Sequence, residues 1–103
     1  MTELTGIFHT LRGLGLCCTQ AEFSRQWLGR SAHYMAQIGG DPRKASLTSL
    51  QLLVCRLSLA TIKAKGLPTQ REIRSAYVEA RTILNGVFEL RFVPPCDRIT
   101  ALY

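Results

Sequence analysis

The capping signals between Thr19 and Ile38 constrain the fold more than any other feature of this chain. Thr19 and Glu22 have the T-x-x-E spacing of a capping box, which predicts a helix beginning at Gln20. Gly29 can adopt the left-handed conformation in which helices often end. The sequence therefore predicts a short helix with a start signal at Thr19 and a stop signal at Gly29, followed by a tight turn.

A second short helix is predicted directly after this turn. Ser31 is a second candidate N-cap, and residues Ala32 to Ile38 follow it as helix. Met35 and Ile38 lie three residues apart and can both face inward. The residues left for solvent or for a groove are His33, Tyr34 and Gln37.

This segment resembles the helix-turn-helix of the phage-repressor (Cro/cI) class, in which a T-Q-x-E opening leads through a glycine turn to a serine-capped recognition helix. The matched residues are Thr19, Gln20, Glu22, Phe23, Ser24, Gly29 and Ser31. Arg25 to Leu28 separate the small residue from the turn glycine, one residue more than is usual in the class. The F-S-R-x-W-L-G-R-S run is also similar to a group of short uncharacterised bacterial proteins.

The resemblance implies binding to double-stranded DNA through the major groove. Gln20 and Ser31 correspond to phosphate contacts of the class, and the basic residues Arg30, Arg43 and Lys44 are expected to add to them. The expected base readers are Ala32, His33, Tyr34 and Gln37. The leading hypothesis is a small transcriptional regulator of bacterial or phage type, acting as a homodimer held by its fourth and fifth helices.

The charge of the chain is compatible with this hypothesis and with one rival. Thirteen Lys and Arg residues against seven Asp and Glu give a formal net charge of +6 and a pI near 9.6, which favours a polyanionic partner. The range 32–38, however, contains no Lys or Arg, although Arg to guanine is the commonest specific contact. The competing hypothesis is a protein-binding adaptor or antagonist that keeps the helical scaffold without reading DNA.

Three further helices are predicted. Leu4, Ile7, Phe8 and Leu11 have the i, i+3, i+4, i+7 spacing of a first helix ending around Gly13 or Gly15. Ser46 caps a long apolar helix running to Lys65, with Gly66 beyond it. Thr69 and Glu72 repeat the capping box and open a fifth helix. Its inward face is predicted to contain Ile73, Ala76, Tyr77, Ala80, Leu84 and Val87.

The residues after this helix allow two interpretations. Phe88, Leu90 and Phe92 alternate with Glu89 and Arg91, which is typical of a short strand or an extended arm. The same residues can also continue the fifth helix past Gly86. We therefore expect an all-α, five-helix single domain over 1–103, with 87–103 as a C-terminal arm.

Several function classes are not expected. No apolar stretch is long enough for a membrane span, and the first ten residues do not have the pattern of a signal peptide, so a cytoplasmic protein is the simplest interpretation. The four cysteines have no C-x-x-C spacing, which favours reduced thiols over disulfides or a metal site. Neither a carboxylate pair nor a phosphate-binding glycine loop is present, so we expect no enzyme and no cofactor.

Overall fold

A computed structural model describes residues 4–92 of the chain, with side chains described for 4–90. This part contains five α-helices: α1 (Leu4–Gly13), α2 (Gln20–Gln26), α3 (Tyr34–Ile38), α4 (Leu47–Lys63) and α5 (Gln70–Phe92). A single 3-10 turn, Pro42–Lys44, lies between α3 and α4. The prediction of an all-α, five-helix fold is confirmed.

Helices α4 and α5 form an antiparallel hairpin that is the largest helix–helix contact of the described chain. Helix α4 begins where predicted, because the hydroxyl of Ser46 accepts a hydrogen bond from the Ser49 N–H at 3.2 Å. It ends at Lys63, and Gly66 follows in the left-handed conformation, with φ of 86°. The buried apolar residues of the two helices are Leu50, Leu53, Leu57, Ile73, Ala76, Ala80, Ile83 and Val87.

Helix α1 packs on α5 and also meets α2 through aromatic residues. All four of its predicted inward residues are buried, which confirms the first helix. The ring centroids of Phe8 and Phe23 lie 5.7 Å apart in the edge-to-face arrangement that aromatic pairs prefer. The chain returns to the start of α1 at Gly40, whose carbonyl accepts a hydrogen bond from the Leu4 N–H at 3.0 Å. One core therefore includes residues from every helix.

The strand predicted after Val87 is wrong, since α5 continues without interruption to Phe92. Val87 is 1% exposed and extends the buried stripe of α5, whereas Phe88 and Leu90 are both about half exposed. A helix places Val87 in the core with the other buried residues of α5. Phe88 and Leu90 are not buried, so the alternating pattern provides no buried face that would stabilise a strand. The alternative interpretation, a fifth helix that passes Gly86, is confirmed. The remainder of the predicted arm, 93–103, lies outside the described residues.

No helix within residues 4–92 combines the length and the apolar character needed to cross a membrane. Three free cysteines lie in this part of the chain: Cys17 is buried, while Cys18 and Cys55 are exposed. The pKa of Cys17 is raised, mainly because burial disfavours the thiolate, with the Glu22 carboxylate as the next cause. Because thiolates are the reactive form, the burial of Cys17 and its raised pKa both disfavour reaction at this residue.

We expect iodoacetamide at about pH 8 to alkylate Cys18 and Cys55 at least about tenfold faster than Cys17 in the folded protein. Tandem mass spectrometry of quenched time points would assign the modified residue, because Cys17 and Cys18 share one peptide. In denaturant the three rates should converge. Equal rates in the folded state would contradict the burial of Cys17.

Candidate nucleic-acid interface

Residues 19–38, here called the α2–α3 unit, begin with the predicted N-cap. The Thr19 hydroxyl accepts a hydrogen bond from the Glu22 N–H at 3.2 Å. The Glu22 carboxylate accepts the Cys18 N–H at 3.3 Å. A capping box would instead place this second bond on the N–H of Thr19 itself, one residue later. The predicted start of α2 at Gln20 is therefore confirmed, with the return bond displaced by one residue.

Ser24 is the side chain that fixes α3 against α2. Its hydroxyl donates to the Gln20 carbonyl at 2.9 Å within α2 and accepts the Met35 N–H at 3.1 Å from α3. Ser24 is fully buried, and this contact satisfies a backbone N–H in the first turn of α3. A small hydroxyl residue is required here because the two backbones approach closely and the N–H needs an acceptor. The small residue of the predicted motif thus has a specific structural role.

The turn between the two helices is closed by backbone hydrogen bonds around Gly29. The Arg30 N–H donates to the Ser24 carbonyl at 2.9 Å, while Gly29 adopts φ of 66°. A Cβ atom on Gly29 would lie 2.6 Å from Cδ2 of Leu52 on α4. The left-handed backbone therefore favours glycine at position 29, and any larger residue would also have to displace the end of the Leu52 side chain.

The predicted start of the second helix is wrong. Helix α3 begins at Tyr34 rather than Ala32, and its N-cap position is His33, which makes no side-chain capping bond. Ser31 acts through its backbone, since its carbonyl accepts the Tyr34 N–H at 3.1 Å and closes a turn before the helix. The bonds around Gly29 set the chain direction at Arg30, so the chain enters helical geometry only after this additional turn.

The outer side of α3 carries part of the predicted base-reading set. His33 and Gln37 are exposed, and Ala32 is half-buried. Met35 and Ile38 are buried, which confirms the predicted inward face. Ala36 is exposed on the same side as His33 and Gln37, although the predicted base-reading set did not include it. Helical spacing from His33 would have identified it, because a residue three positions further lies on the same side.

Arg30 and Tyr34 are attached to the N-terminal end of α4. The Tyr34 hydroxyl accepts the Ser46 N–H at 2.9 Å, and the ring lies 5.6 Å from the Arg30 guanidinium carbon. Arg30 donates through Nε to the Ser49 hydroxyl at 2.8 Å and through Nη2 to the Ser46 hydroxyl at 2.6 Å. These contacts join the α2–α3 unit to the α4–α5 hairpin, a role that the sequence pattern did not indicate.

The two remaining predicted cations lie just beyond α3. Arg43 and Lys44 line a shallow groove together with Ile38 and Gly39 at the end of that helix. Arg43 forms an ion pair with Asp41, with Nε to Oδ1 at 3.3 Å, and its hydrogen bonds lower the pKa of the Asp41 carboxyl. Lys44 is exposed.

Gln20 and Ser31, the predicted phosphate contacts at the two helix starts, are exposed as well. The structure thus brings Arg43 and Lys44 next to the end of α3 and brings Arg30 and Tyr34 to the start of α4. No group of three or more His, Cys, Asp or Glu residues that could hold a metal ion occurs among the residues described.

These observations define a small all-α domain in which a two-helix unit with a polar outer edge docks on a helical hairpin. Residues 4–89 match a family described as a family of unknown function (DUF6626). The chain belongs to this family. Comparisons with curated proteins and with solved structures gave no match.

We expect Ser24→Ala to lower the free energy of unfolding by about 1–3 kcal/mol, because the buried Met35 N–H would lose its acceptor. Urea denaturation followed by circular dichroism measures the change. Ser31→Ala is the matched control and should change it by less than about 0.5 kcal/mol, since Ser31 is exposed and does not cap α3. A loss of about 1 kcal/mol in the control would restore Ser31 as a helix cap.

Gly29→Ala should lower the free energy of unfolding, measured by thermal denaturation, by about 1–2 kcal/mol because of the left-handed backbone alone. The loss should be larger if the Leu52 side chain must shift to accommodate the new Cβ atom. Gly13→Ala is the comparison, because a Cβ there meets nothing within 4 Å and Gly13 does not have a positive φ. That variant should be neutral or stabilising by up to about 1 kcal/mol. Equal effects of the two variants would contradict the left-handed conformation of Gly29.

Proposed function

We propose that this protein is a small DNA-binding transcriptional regulator that places α3 in the major groove of double-stranded DNA. The observation that carries the proposal is the exposed polar edge of α3, with His33 and Gln37, held in a fixed orientation by the buried hydrogen bond of Ser24 to Met35. Helix-turn-helix proteins read base edges from an exposed helix that a second helix positions in this way.

The charges around the α2–α3 unit support the same proposal. From Thr19 to Lys44 the chain carries four cations and two carboxylates, and its formal net charge is +6 overall. Both carboxylates have partners, since Glu22 accepts a backbone N–H and Asp41 pairs with Arg43. The cations are Arg25, Arg30, Arg43 and Lys44, and all four are exposed. An excess of exposed cations favours contact with phosphate.

Each proposed contact has a defined part in this mechanism. Gln20, Ser31 and Lys44 donate to phosphate oxygens and position the domain on the duplex. Arg30 adds a further phosphate contact, because its two hydrogen bonds to serines use only part of the five N–H groups of a guanidinium. Tyr34 acts mainly in positioning, since its hydroxyl already accepts the Ser46 N–H. His33 and Gln37, with the neighbouring Ala32, supply the sequence preference.

We further propose that the regulator works in the cytoplasm as a homodimer on two half-sites about 34 Å apart, the spacing of one helical turn of DNA. Selection of bound fragments from the source genome and from a random duplex pool tests this directly. An enriched palindrome with that spacing supports the dimer. A single non-palindromic site would support DNA reading by one copy of the chain.

The adaptor hypothesis makes the opposite prediction for salt. A domain that neutralises several phosphates loses affinity steeply between low and physiological salt, whereas an apolar protein contact barely responds. The absence of Lys and Arg from α3 is the observation in favour of the adaptor. Weak or sequence-blind binding to the duplex pool, or none at all, would reject the regulator in its favour.

We expect Gln37→Ala to weaken binding to the selected site by about 1–3 kcal/mol while affinity for random duplex stays nearly unchanged. Fluorescence anisotropy with labelled duplexes at several salt concentrations gives both affinities. Gln51→Ala, at an exposed glutamine of α4, is the matched control and should alter neither affinity. An equal loss on specific and random DNA would remove Gln37 from base reading.

A further inference from the structure

A ridge of exposed apolar residues lies on the side of the hairpin that does not face the core. Cys55, Leu59 and Ile62 share one side of α4 at the spacing i, i+4, i+7, and Leu59 and Ile62 are 57% and 66% exposed. Val54 and Tyr77 are half-buried beside them and line the shallow groove between α4 and α5. We call these five residues the hairpin ridge.

Cations border the hairpin ridge on both long sides. Leu59 lines two grooves, one shared with Tyr77 of α5 and the other shared with Arg56, Lys63 and Trp27 toward α2. On the α5 side, Arg74 and Arg81 are exposed and lie three residues before and four residues after Tyr77, so they share its side of that helix. The apolar strip thus has Arg56 and Lys63 along one edge and Arg74 and Arg81 along the other.

The two grooves that Leu59 lines contain no carboxylate. Helix α4 contains no Asp or Glu. On α5, Glu72 lines a groove with His9 and Thr10 of α1, and Glu79 lies seven residues further along the same side of the helix. Glu72 also shares a groove with Arg74 at the start of α5, and Glu89 lies near the other end of the helix, eight residues after Arg81. Beside the middle of the hairpin ridge the side chains are therefore apolar or cationic.

We propose that the hairpin ridge binds an acidic amphipathic helix of another protein. A third helix laid along two antiparallel helices buries an apolar stripe of i, i+3, i+4, i+7 anchors against the ridge, as in helix-in-groove recognition. Glu or Asp residues on both flanks of that stripe then meet Arg56 and Lys63 on one side and Arg74 and Arg81 on the other. Charge complementarity of this kind selects the partner and excludes helices with basic flanks.

A second copy of the chain fits the hairpin ridge less well. Two-fold pairing of the same surface brings identical patches together, so the cations of one copy would face cations or apolar residues of the other. The homodimer proposed for DNA binding would accordingly use another surface. The present proposal does not rest on DNA binding, and its test requires no DNA.

The test uses two synthetic helical peptides of about 18 residues with the same leucine stripe, one flanked by Glu on both sides and the other by Lys. Fluorescence anisotropy with the full chain measures both affinities at low and physiological salt. The Glu-flanked peptide should bind at least about tenfold tighter than its Lys-flanked isomer, and the difference should shrink as salt rises.

Variants then locate the site. Leu59→Ser combined with Ile62→Ser should weaken binding of the Glu-flanked peptide at least about tenfold, since these side chains supply the apolar contact. Leu90→Ser is the matched control, because Leu90 is 54% exposed but lies beside Ile38 and Pro42 at the other side of α5. Thermal unfolding of each variant confirms that the fold is intact. Arg56→Glu with Lys63→Glu should shift the preference toward the Lys-flanked peptide.

Three results would overturn the proposal. One is equal binding, or no binding, of the two peptides by the native chain. Another is sedimentation showing a dimer that Leu59→Ser and Ile62→Ser dissociate while neither peptide binds, which would assign the hairpin ridge to a second copy. The third is binding of random duplex DNA that requires Arg56 and Lys63 but not Leu59, with no peptide binding, which would assign these cations to nucleic acid.

Discussion

Burial of the inner side of the α4–α5 hairpin is the constraint on which the other elements depend. Leu50, Leu53 and Leu57 are at most 1% exposed, and each fully buried leucine contributes about 2 kcal/mol. Ala76 and Ala80 on α5 are buried as well, at 2% and 1% exposed. The smaller helices add to this hairpin rather than forming a core of their own, since α2 and α3 are only seven and five residues long. Helices of that length are not stable in isolation.

Polar contacts hold the α2–α3 unit on the α4–α5 hairpin. Within the described chain, every buried side-chain nitrogen and oxygen atom has a hydrogen-bond partner. Ser24 satisfies the N–H of Met35 inside the unit, while Arg30 and Tyr34 reach Ser46 at the start of α4. Such contacts are directional, so they fix the orientation of α3 more precisely than apolar packing does. The exposed edge proposed to read DNA therefore has a defined direction relative to the hairpin.

The same domain presents two surfaces of different chemistry. The outer edge of α3 is polar and short, and the cations near it lie on the flanking turns. The hairpin ridge is apolar, with Leu59 and Ile62 more than half exposed, and cations border it on both sides. An exposed apolar strip of this kind is unusual on a monomeric protein and commonly marks an interaction site. A regulator that binds DNA through α3 can respond to a protein partner on the hairpin ridge if both proposals hold.

Local sequence determined those features that depend on neighbours in the chain. The caps at Thr19 and Ser46 follow from the unpaired amides of a first helical turn, and the inward residues of α1 and α3 follow from helix periodicity. The turn at Gly29 follows from the left-handed conformation that glycine adopts readily. Tertiary structure decided the rest. Val87 lies in the buried stripe of α5, and the segment predicted as a strand is helix. Ser31 does not cap α3, because the chain after Gly29 forms one more turn before the helix begins at Tyr34. Hydrogen bonds to Ser46 and Ser49 of α4 set the orientation of the Arg30 side chain, and local sequence patterns do not indicate contacts between residues so far apart in the chain.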